Sequence, residues 1–219
     1  MIAHTKSLRQ TLEALPPVYA SSTTLRTQIK DQLSASKSAP ILVVLDDDPT
    51  GTQTCHNINV VTVWSTSVLA TELSSTPAGS GFFILTNSRA LHPDGAQKLI
   101  EEICSNLKEA AQQTRKQVEV VLRGDSTLRG HFPLEPEAVE SVLGPSDIWL
   151  LAPFFLQGGR YTVGDVHYVV EGDTLVPVRC PKPVCCNTAD LPSFYRLEKH
   201  LLLKTRRLDT SQAICVIGS

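Results

Sequence analysis

Ile41-Leu-Val-Val-Leu-Asp-Asp-Asp-Pro-Thr-Gly-Thr-Gln-Thr54 is the stretch from which the rest of the chain can be read. Its five apolar residues, three of them β-branched, predict a short strand buried on both faces, as in a parallel sheet. Three consecutive carboxylates come next, Asp46, Asp47 and Asp48. Pro49 and Gly51 then turn the chain, because proline fixes φ and glycine permits positive φ. Adjacent like charges repel and cost stability, so a fold that keeps them is expected to use them. A solvated acidic turn is the bland alternative.

Upstream, Leu8, Leu12 and Leu15 recur at helical spacing within residues 4–15 and stop at Pro16-Pro17. Thr24 to about Lys37 repeats the pattern with Leu25, Ile29 and Leu33. One or two N-terminal helices therefore make up a 1–38 extension, expected to act as an accessory layer or lid. Downstream, strands are predicted at 59–64, 82–86, 118–122 and 148–152. Helices are predicted near 66–73, from Pro93 to about Lys116, and over 134–143 up to Gly144-Pro145. Leu99, Ile103 and Leu107 give the long helix one apolar stripe. Two short pieces, 167–170 and 174–178, are expected to pair as a hairpin across Gly172. Strand–helix alternation of this kind predicts an α/β fold, a three-layer αβα arrangement around a mostly parallel, Rossmann-like sheet.

The 219 residues suffice for one sizeable α/β domain, and 42% hydrophobic with 19% charged residues is ordinary for a globular protein. A formal charge of −2 gives no general basic surface, which excludes nucleic acid as an expected partner. No apolar run approaches the roughly 18 residues of a membrane span, and the first ten residues lack the apolar core of a secretion signal. The six cysteines, at 55, 104, 180, 185, 186 and 215, form no Cys-x-x-Cys pair. Reduced thiols and a cytoplasmic location are the expectation. Cys180, Cys185 and Cys186 lack a fourth ligand at a recognisable spacing, so no metal site is assigned. Residues 179–219 differ in kind: they hold 7 Lys+Arg against 3 Asp+Glu and four of the six cysteines.

In parallel sheets ligands bind beyond the carboxyl ends of the strands, so the residues just past each strand are informative. The four ends are Asp46 to Gly51, Asn87-Ser-Arg89, Arg123-Gly-Asp-Ser-Thr-Leu-Arg-Gly-His131, and Pro153-Phe-Phe-Leu-Gln-Gly-Gly-Arg160. Arg89, Arg123, Arg129 and Arg160 offer planar forks suited to carboxylate or phosphate. Asp47, Asp48 and Asp125 would accept hydrogen bonds from sugar hydroxyls or hold Mg²⁺ through water. A polyhydroxylated carboxylic acid satisfies both sets. Mutual neutralisation of Asp125 by Arg123 or Arg129 is the competing reading. Neither a Gly-x-x-x-x-Gly-Lys-Ser/Thr loop nor Gly-x-Gly-x-x-Gly occurs. Gly124 and Gly130 could free backbone N–H groups for an anion, and His131 and His167 could serve as acid/base groups or as structural hydrogen-bond partners.

Asp47-Asp-Pro-Thr-Gly51, Thr86-Asn-Ser-Arg-Ala-Leu91, Arg123 to His131, and Ala152-Pro-Phe-Phe-x-x-Gly-Gly-Arg-x-Thr-x-Gly-x-x-His-Tyr-Val169 together resemble the N-terminal domain of the four-carbon acid sugar kinases. These comprise the threonate, erythronate and 3-oxo-tetronate kinases. The resemblance covers about residues 39–178. It implies a sugar-acid-binding domain that works with a C-terminal ATP-binding domain across an interdomain cleft, with ATP and Mg²⁺ bound mainly through that second domain. Asp48 and Asp125 are the implied candidates for the general base. Asp47, Thr50, Gly51, Asn87, Arg89 and Arg123 would contact substrate, as would Ser126, Arg129, Gly130, Gly159, Arg160 and His167. The expected partners are a small sugar acid and a nucleotide-binding domain in cis; an oligomer is compatible with the reading. From Arg179 onward the pattern is no longer kept, so 179–219 is expected to be an atypical tail, from a truncated gene model, an altered reading frame or a fragment.

The residues also support two rivals. Asp46-x-Asp48-x-Thr50 after an apolar strand resembles the nucleophile motif of haloacid-dehalogenase-type phosphatases, and Leu85-Thr-Asn87 their second motif, with Asp46 forming an aspartyl-phosphate. A non-catalytic binding module is the other.

Overall fold

The computed structural model describes residues 4–15, 17, 21–36, 39–53, 55–125, 129–146, 148–153, 155–163, 166–178 and 213–218. The chain opens with a two-residue strand β1 (Lys6–Ser7) and helix α1 (Leu8–Glu13), whose first turn is capped by Ser7. Helix α2 (Ser22–Ala35) is capped by Ser21, and neither helix buries a residue. Then come β2 (Ile41–Asp46), β3 (Val60–Val61), α3 (Thr66–Ser75), β4 (Gly81–Leu85), α4 (Pro93–Thr114), β5 (Val118–Gly124), α5 (Leu134–Leu143) and β6 (Ile148–Ala152). The remaining strands are β7 (Arg160–Val163), β8 (Val166–Glu171), β9 (Thr174–Pro177) and β10 (Ala213–Gly218).

β2 to β6 and β10 make one parallel sheet in the order β3-β4-β2-β5-β10-β6. The three helical crossovers β3–β4, β4–β5 and β5–β6 all advance in one direction across it. Right-handed crossovers that advance the same way land on the same face. α3, α4 and α5 accordingly pack side by side, with α4 central. Their apolar stripes meet the inward residues of the strands. Leu69, Leu73, Ile100, Ile103 and Leu107 close on Ile41, Val43, Leu45, Val120 and Leu122 in one buried core. The architecture is the expected α/β class, with a parallel sheet and helical layer consistent with a three-layer fold.

One expectation for β2 is revised by this one-sided packing. Ile41, Val43 and Leu45 are buried, but Leu42 is 39% exposed and Val44 half-buried, so the strand alternates. The apolar run reads as buried on both faces, yet the described helices cover only one.

β9, β8 and β7 form an antiparallel sheet that β1 extends at its edge. The predicted hairpin is β8–β9, turning through Gly172 at φ +59°. β7 is not among the predicted strands, because its residues lie inside the glycine-rich stretch after β6. Residues 4–5 do not join the first helix; Lys6 and Ser7 pair with Leu175 and Thr174 instead. β10 is likewise absent from the predicted strands: Ala213–Gly218 enters between β5 and β6, with Gly218 level with Gly124. Of the stretch expected as an atypical tail, residues 179–212 and 219 lie outside the described residues. Among the described residues no helix is long and apolar enough to cross a membrane.

Candidate functional site

The connection from β2 runs to β3 at one edge of the sheet, whereas the later crossovers carry the chain past β2 towards β6. This reversal puts the carboxyl end of β2 at a switch point, flanked by the ends of β4 and β5. Three loops therefore converge: the acidic turn, the Thr86–Ala90 turn and the segment after Gly124.

The three aspartates are not equivalent. Asp46 is 1% exposed; its Oδ1 accepts from Arg123 Nη1 at 3.2 Å, while its Oδ2 is buried with no hydrogen-bond partner among the described residues. Gly51 folds back so closely that a Cβ there would lie 2.2 Å from that oxygen. Burial pushes the Asp46 carboxyl up to about 6, against the pull of Arg123 and with the repulsion of Asp47 added. Its backbone carbonyl accepts from both the N–H and the hydroxyl of Thr86, at 2.9 Å each, which ties the end of β2 to that of β4.

Asp47, 2% exposed, receives a two-pronged contact from Arg89, Nε to Oδ2 at 3.0 Å and Nη2 to Oδ1 at 2.6 Å. Arg123 Nη1 stands 3.6 Å from the same Oδ1. A Cβ on Gly130 would lie 3.0 Å from Asp47 Oδ2, close enough that the carboxylate would have to give by a few tenths of an ångström. Asp48 is the outer member, its side chain 26% exposed. It accepts from the Thr50 N–H at 2.9 Å, from the Thr50 hydroxyl, and from Arg89 Nη1 at 3.1 Å. The Thr50 hydrogen bonds, more than the arginines, hold its carboxyl below the usual range.

Arg89 reaches both carboxylates from a 3-10 turn, Ser88–Ala90, preceded by Asn87 at φ +52°. Asn tolerates this left-handed conformation better than most side chains. Burial alone would lower the Arg89 value; the hydrogen bonds and charge of Asp47, then of Asp48 and Asp125, raise it instead. On the neighbouring loop Asp125 takes Arg129 in a second two-pronged contact, Nε to Oδ2 at 2.8 Å and Nη2 to Oδ1 at 2.9 Å. Arg129 is 68% exposed and stays above its usual range through the Asp125 hydrogen bonds and charge.

Behind the turn lies a buried layer to which the sequence drew no attention. Ser88 Oγ donates to Glu135 Oε1 at 2.5 Å, from the first turn of α5. His131 Nε2 lies 3.0 Å from the Ser88 carbonyl, which can only accept, so that nitrogen carries the proton. Burial pushes the Glu135 carboxyl up to about 7; Ser88 and Arg89 lower it, and Asp47 raises it. The available signal is positional: a Glu in the first turn of the helix just past a site loop. A glutamate beside Pro136 with another at 137 reads as ordinary solvated helix surface.

Asp47, Asp48, Thr50, Gly51, Arg89, Arg123, Asp125, Arg129 and Gly130 thus form one cluster, with Asn87 shaping the turn that supplies Arg89. Ser126 lies outside the described residues. Arg160 and His167 belong to the antiparallel sheet, with Gly159 just before its first residue, rather than to this strand edge. Arg160 stands 5.8 Å over the Phe155 ring, and Thr162 links His167 Nδ1 (2.9 Å) to the Pro153 carbonyl (2.7 Å). β10 lies between β5 and β6, so the loop after β6 starts about 10 Å from the end of β5, at two strand spacings. The guanidinium forks of Arg89 and Arg129 are engaged by carboxylates of the protein itself, because two aspartates buried this deeply need compensating charge. Among the described residues no three His, Cys, Asp or Glu side chains meet so as to hold a metal ion.

No curated protein matches the chain. Two solved structures with the same overall fold are crystal forms of a protein from Bordetella bronchiseptica carrying a domain of unknown function, described as a domain-swapped dimer with bound citrate. The first is 20% identical with a TM-score of 0.53, covering 83% of this chain and 49% of that one. The second is 21% identical with a TM-score of 0.52, covering 82% and 47%. This chain therefore spans about half the length of the structures it resembles. A family model for a sugar-binding N-terminal domain matches residues 42–184, from β2 through the hairpin. By that match, which agrees with the motifs at its strand ends, the chain belongs to the family of sugar-binding N-terminal domains.

Proposed function

We propose that this domain binds a four-carbon sugar acid, a threonate, erythronate or 3-oxo-tetronate, as the substrate half of an ATP-dependent kinase. The observation that carries the reading is the graded acidic turn at the switch point. Asp46 and Asp47 are buried and anchor arginines, while Asp48 stands at the rim beside the Asp125–Arg129 pair. A rim carboxylate held ionised accepts hydrogen bonds from ligand hydroxyls, and the largely exposed Arg129 can attract a ligand carboxylate. The citrate described in the Bordetella neighbour is itself a hydroxy acid, which is in keeping with this ligand class.

In the kinase, Asp48 would orient the acceptor hydroxyl and take its proton, with Asp125 as the alternative base. A depressed carboxyl is a weak base. Phosphoryl transfer through a loose transition state asks mainly for positioning, so a weak base suffices. ATP and Mg²⁺ belong to a nucleotide-binding domain in cis. The cytoplasmic setting is part of the same proposal. The phosphatase alternative fits the geometry poorly: its nucleophile would be Asp46, which is shut behind Gly51 and turned to Arg123.

Titration calorimetry with threonate and erythronate, with and without ATP, tests the reading. Sugar-acid binding that needs no ATP is expected, weakened at least about tenfold in Arg129→Ala, as for loss of a charge-assisted contact. In the complete enzyme, Asp48→Asn should lower turnover about 100-fold with substrate affinity retained. Unchanged turnover in both Asp48→Asn and Asp125→Asn would remove the base assignment, and absence of sugar-acid binding would remove the substrate reading.

A further inference from the structure

We propose that Glu135, acting through Ser88 and seconded by His131, is a positioning residue that clamps the Thr86–Ala90 turn so that Arg89 stays locked on Asp47 and Asp48. Resting on the proposed sugar-acid site only for its consequence in binding, it stands on the geometry of the turn itself. Arg89 has all three guanidinium nitrogens committed to two carboxylates, at 2.6 to 3.1 Å. Such contacts demand that the backbone carrying Arg89 be fixed. The turn that carries it is short and includes a left-handed Asn87, so it needs outside support.

That support comes from two sides. From β2, the Asp46 carbonyl receives the Thr86 N–H and hydroxyl and, at 3.4 Å, the Asn87 N–H. From the α5 side come the Glu135 carboxyl on Ser88 Oγ and the His131 ring on the Ser88 carbonyl. The Thr86 hydroxyl lies 3.1 Å from Ser88 Oγ and closes the network. Ser88 and Glu135 are both buried, so water does not readily replace either contact.

Among the described residues the charges acting on Glu135 are Asp47, which repels, and Arg89, which attracts; α4 also packs on α5, its Lys108 reaching the Val142 carbonyl at the opposite end. Protonated, Glu135 accepts the Ser88 hydroxyl only through a neutral oxygen. Ionised, it accepts the same hydroxyl in a charge-assisted bond and attracts Arg89, which is why Ser88 and Arg89 hold its carboxyl down against burial and Asp47. The clamp should therefore tighten as pH rises through neutrality, the carboxyl being about nine-tenths ionised one unit above its value near 7.

The test is the hydrogen-exchange protection of the Arg89 Nε–H, tracked by ¹⁵N NMR on the full chain from pH 6 to pH 8. After correction for the intrinsic pH effect on exchange, wild type is expected to gain protection by about tenfold, in step with ionisation of the Glu135 carboxyl. Glu135→Gln, isosteric and permanently neutral, should keep its corrected protection constant across that range. Ser88→Ala should lower protection at every pH, and sugar-acid affinity should track protection in all three proteins. Identical pH profiles for wild type and Glu135→Gln, or full protection in Ser88→Ala, would overturn the clamp. Because the Arg89 signal is read without ligand, absence of sugar-acid binding would count against the functional reading and leave the clamp standing.

Discussion

At the residue scale, the acidic turn combines carboxylates that do different jobs. Adjacent in sequence, Asp46, Asp47 and Asp48 differ in exposure and in partners, and they differ because the strand ends at Asp46 and the chain then curls back. Gly51 is where this curl is decided. A methyl group there would fall on the Asp46 carboxylate, which cannot swing aside while buried and held by Arg123. Gly51→Ala is expected to destabilise the fold by about 2 kcal/mol through overpacking, measurable by urea denaturation, and to disturb ligand binding with it. The same substitution at a roomy glycine gives the contrast. Gly95 lies in the first turn of α4, and an added Cβ would meet only Leu91 Cβ at 3.8 Å. Gly95→Ala should stabilise by about 0.5 kcal/mol, by lowering the conformational entropy of the unfolded chain.

At the scale of elements, legibility depended on the strength of the periodic signal. α4 is readable because an apolar stripe follows an opening proline, α5 because Gly144-Pro145 ends it, and β4, β5 and β6 because short apolar runs sit between turn residues. β3 shrank to Val60–Val61: a run such as Asn59 to Trp64 is bounded by propensity but paired only where β4 runs beside it. β10 depends on partners far away in sequence, which local composition does not reveal, whereas β7 pairs with the adjacent β8 and is obscured by the glycine-rich stretch before it. The same holds for the site. Asp47, Arg89, Asp125 and Arg129 could be singled out one loop at a time. That Arg89 would belong to Asp47 and Asp48 is a matter of which loops adjoin, whereas the Asp125–Arg129 pair lies within one loop and is among the pairings its sequence offers.

At the scale of the whole molecule, two buried carboxyls among the described residues tie stability to pH. Asp46 and Glu135 are raised from 3.8 and 4.5 to about 6 and about 7. A carboxyl raised on folding takes up a proton with folding. Its contribution is complete below the unfolded value and is lost as pH rises through the folded one. Asp48, depressed, acts in the opposite sense, and its contribution is lost only in strong acid, below 3.8. Thermal unfolding should therefore show a midpoint that falls from about pH 5 to about pH 8, and Glu135→Gln should flatten the upper part of that fall. A midpoint that rises across this interval would count against the raised values of these two carboxyls.

The sequence by itself determined the class of fold, the central strand, the polar strand ends and the family. Each of these comes from local chemistry: apolar periodicity, turn residues, and ordered motifs at strand ends. Only the tertiary structure decided that β10 enters the sheet, that Arg160 and His167 stand in a second sheet, and that the acidic turn has an inner and an outer side. It also decided that a glutamate on α5 supports the turn bearing Arg89. The pairings at the site join residues tens of positions apart, 42 between Arg89 and Asp47 and 47 between Ser88 and Glu135. Burial and charge pairing across such separations are properties of the folded chain, and no window of sequence contains them.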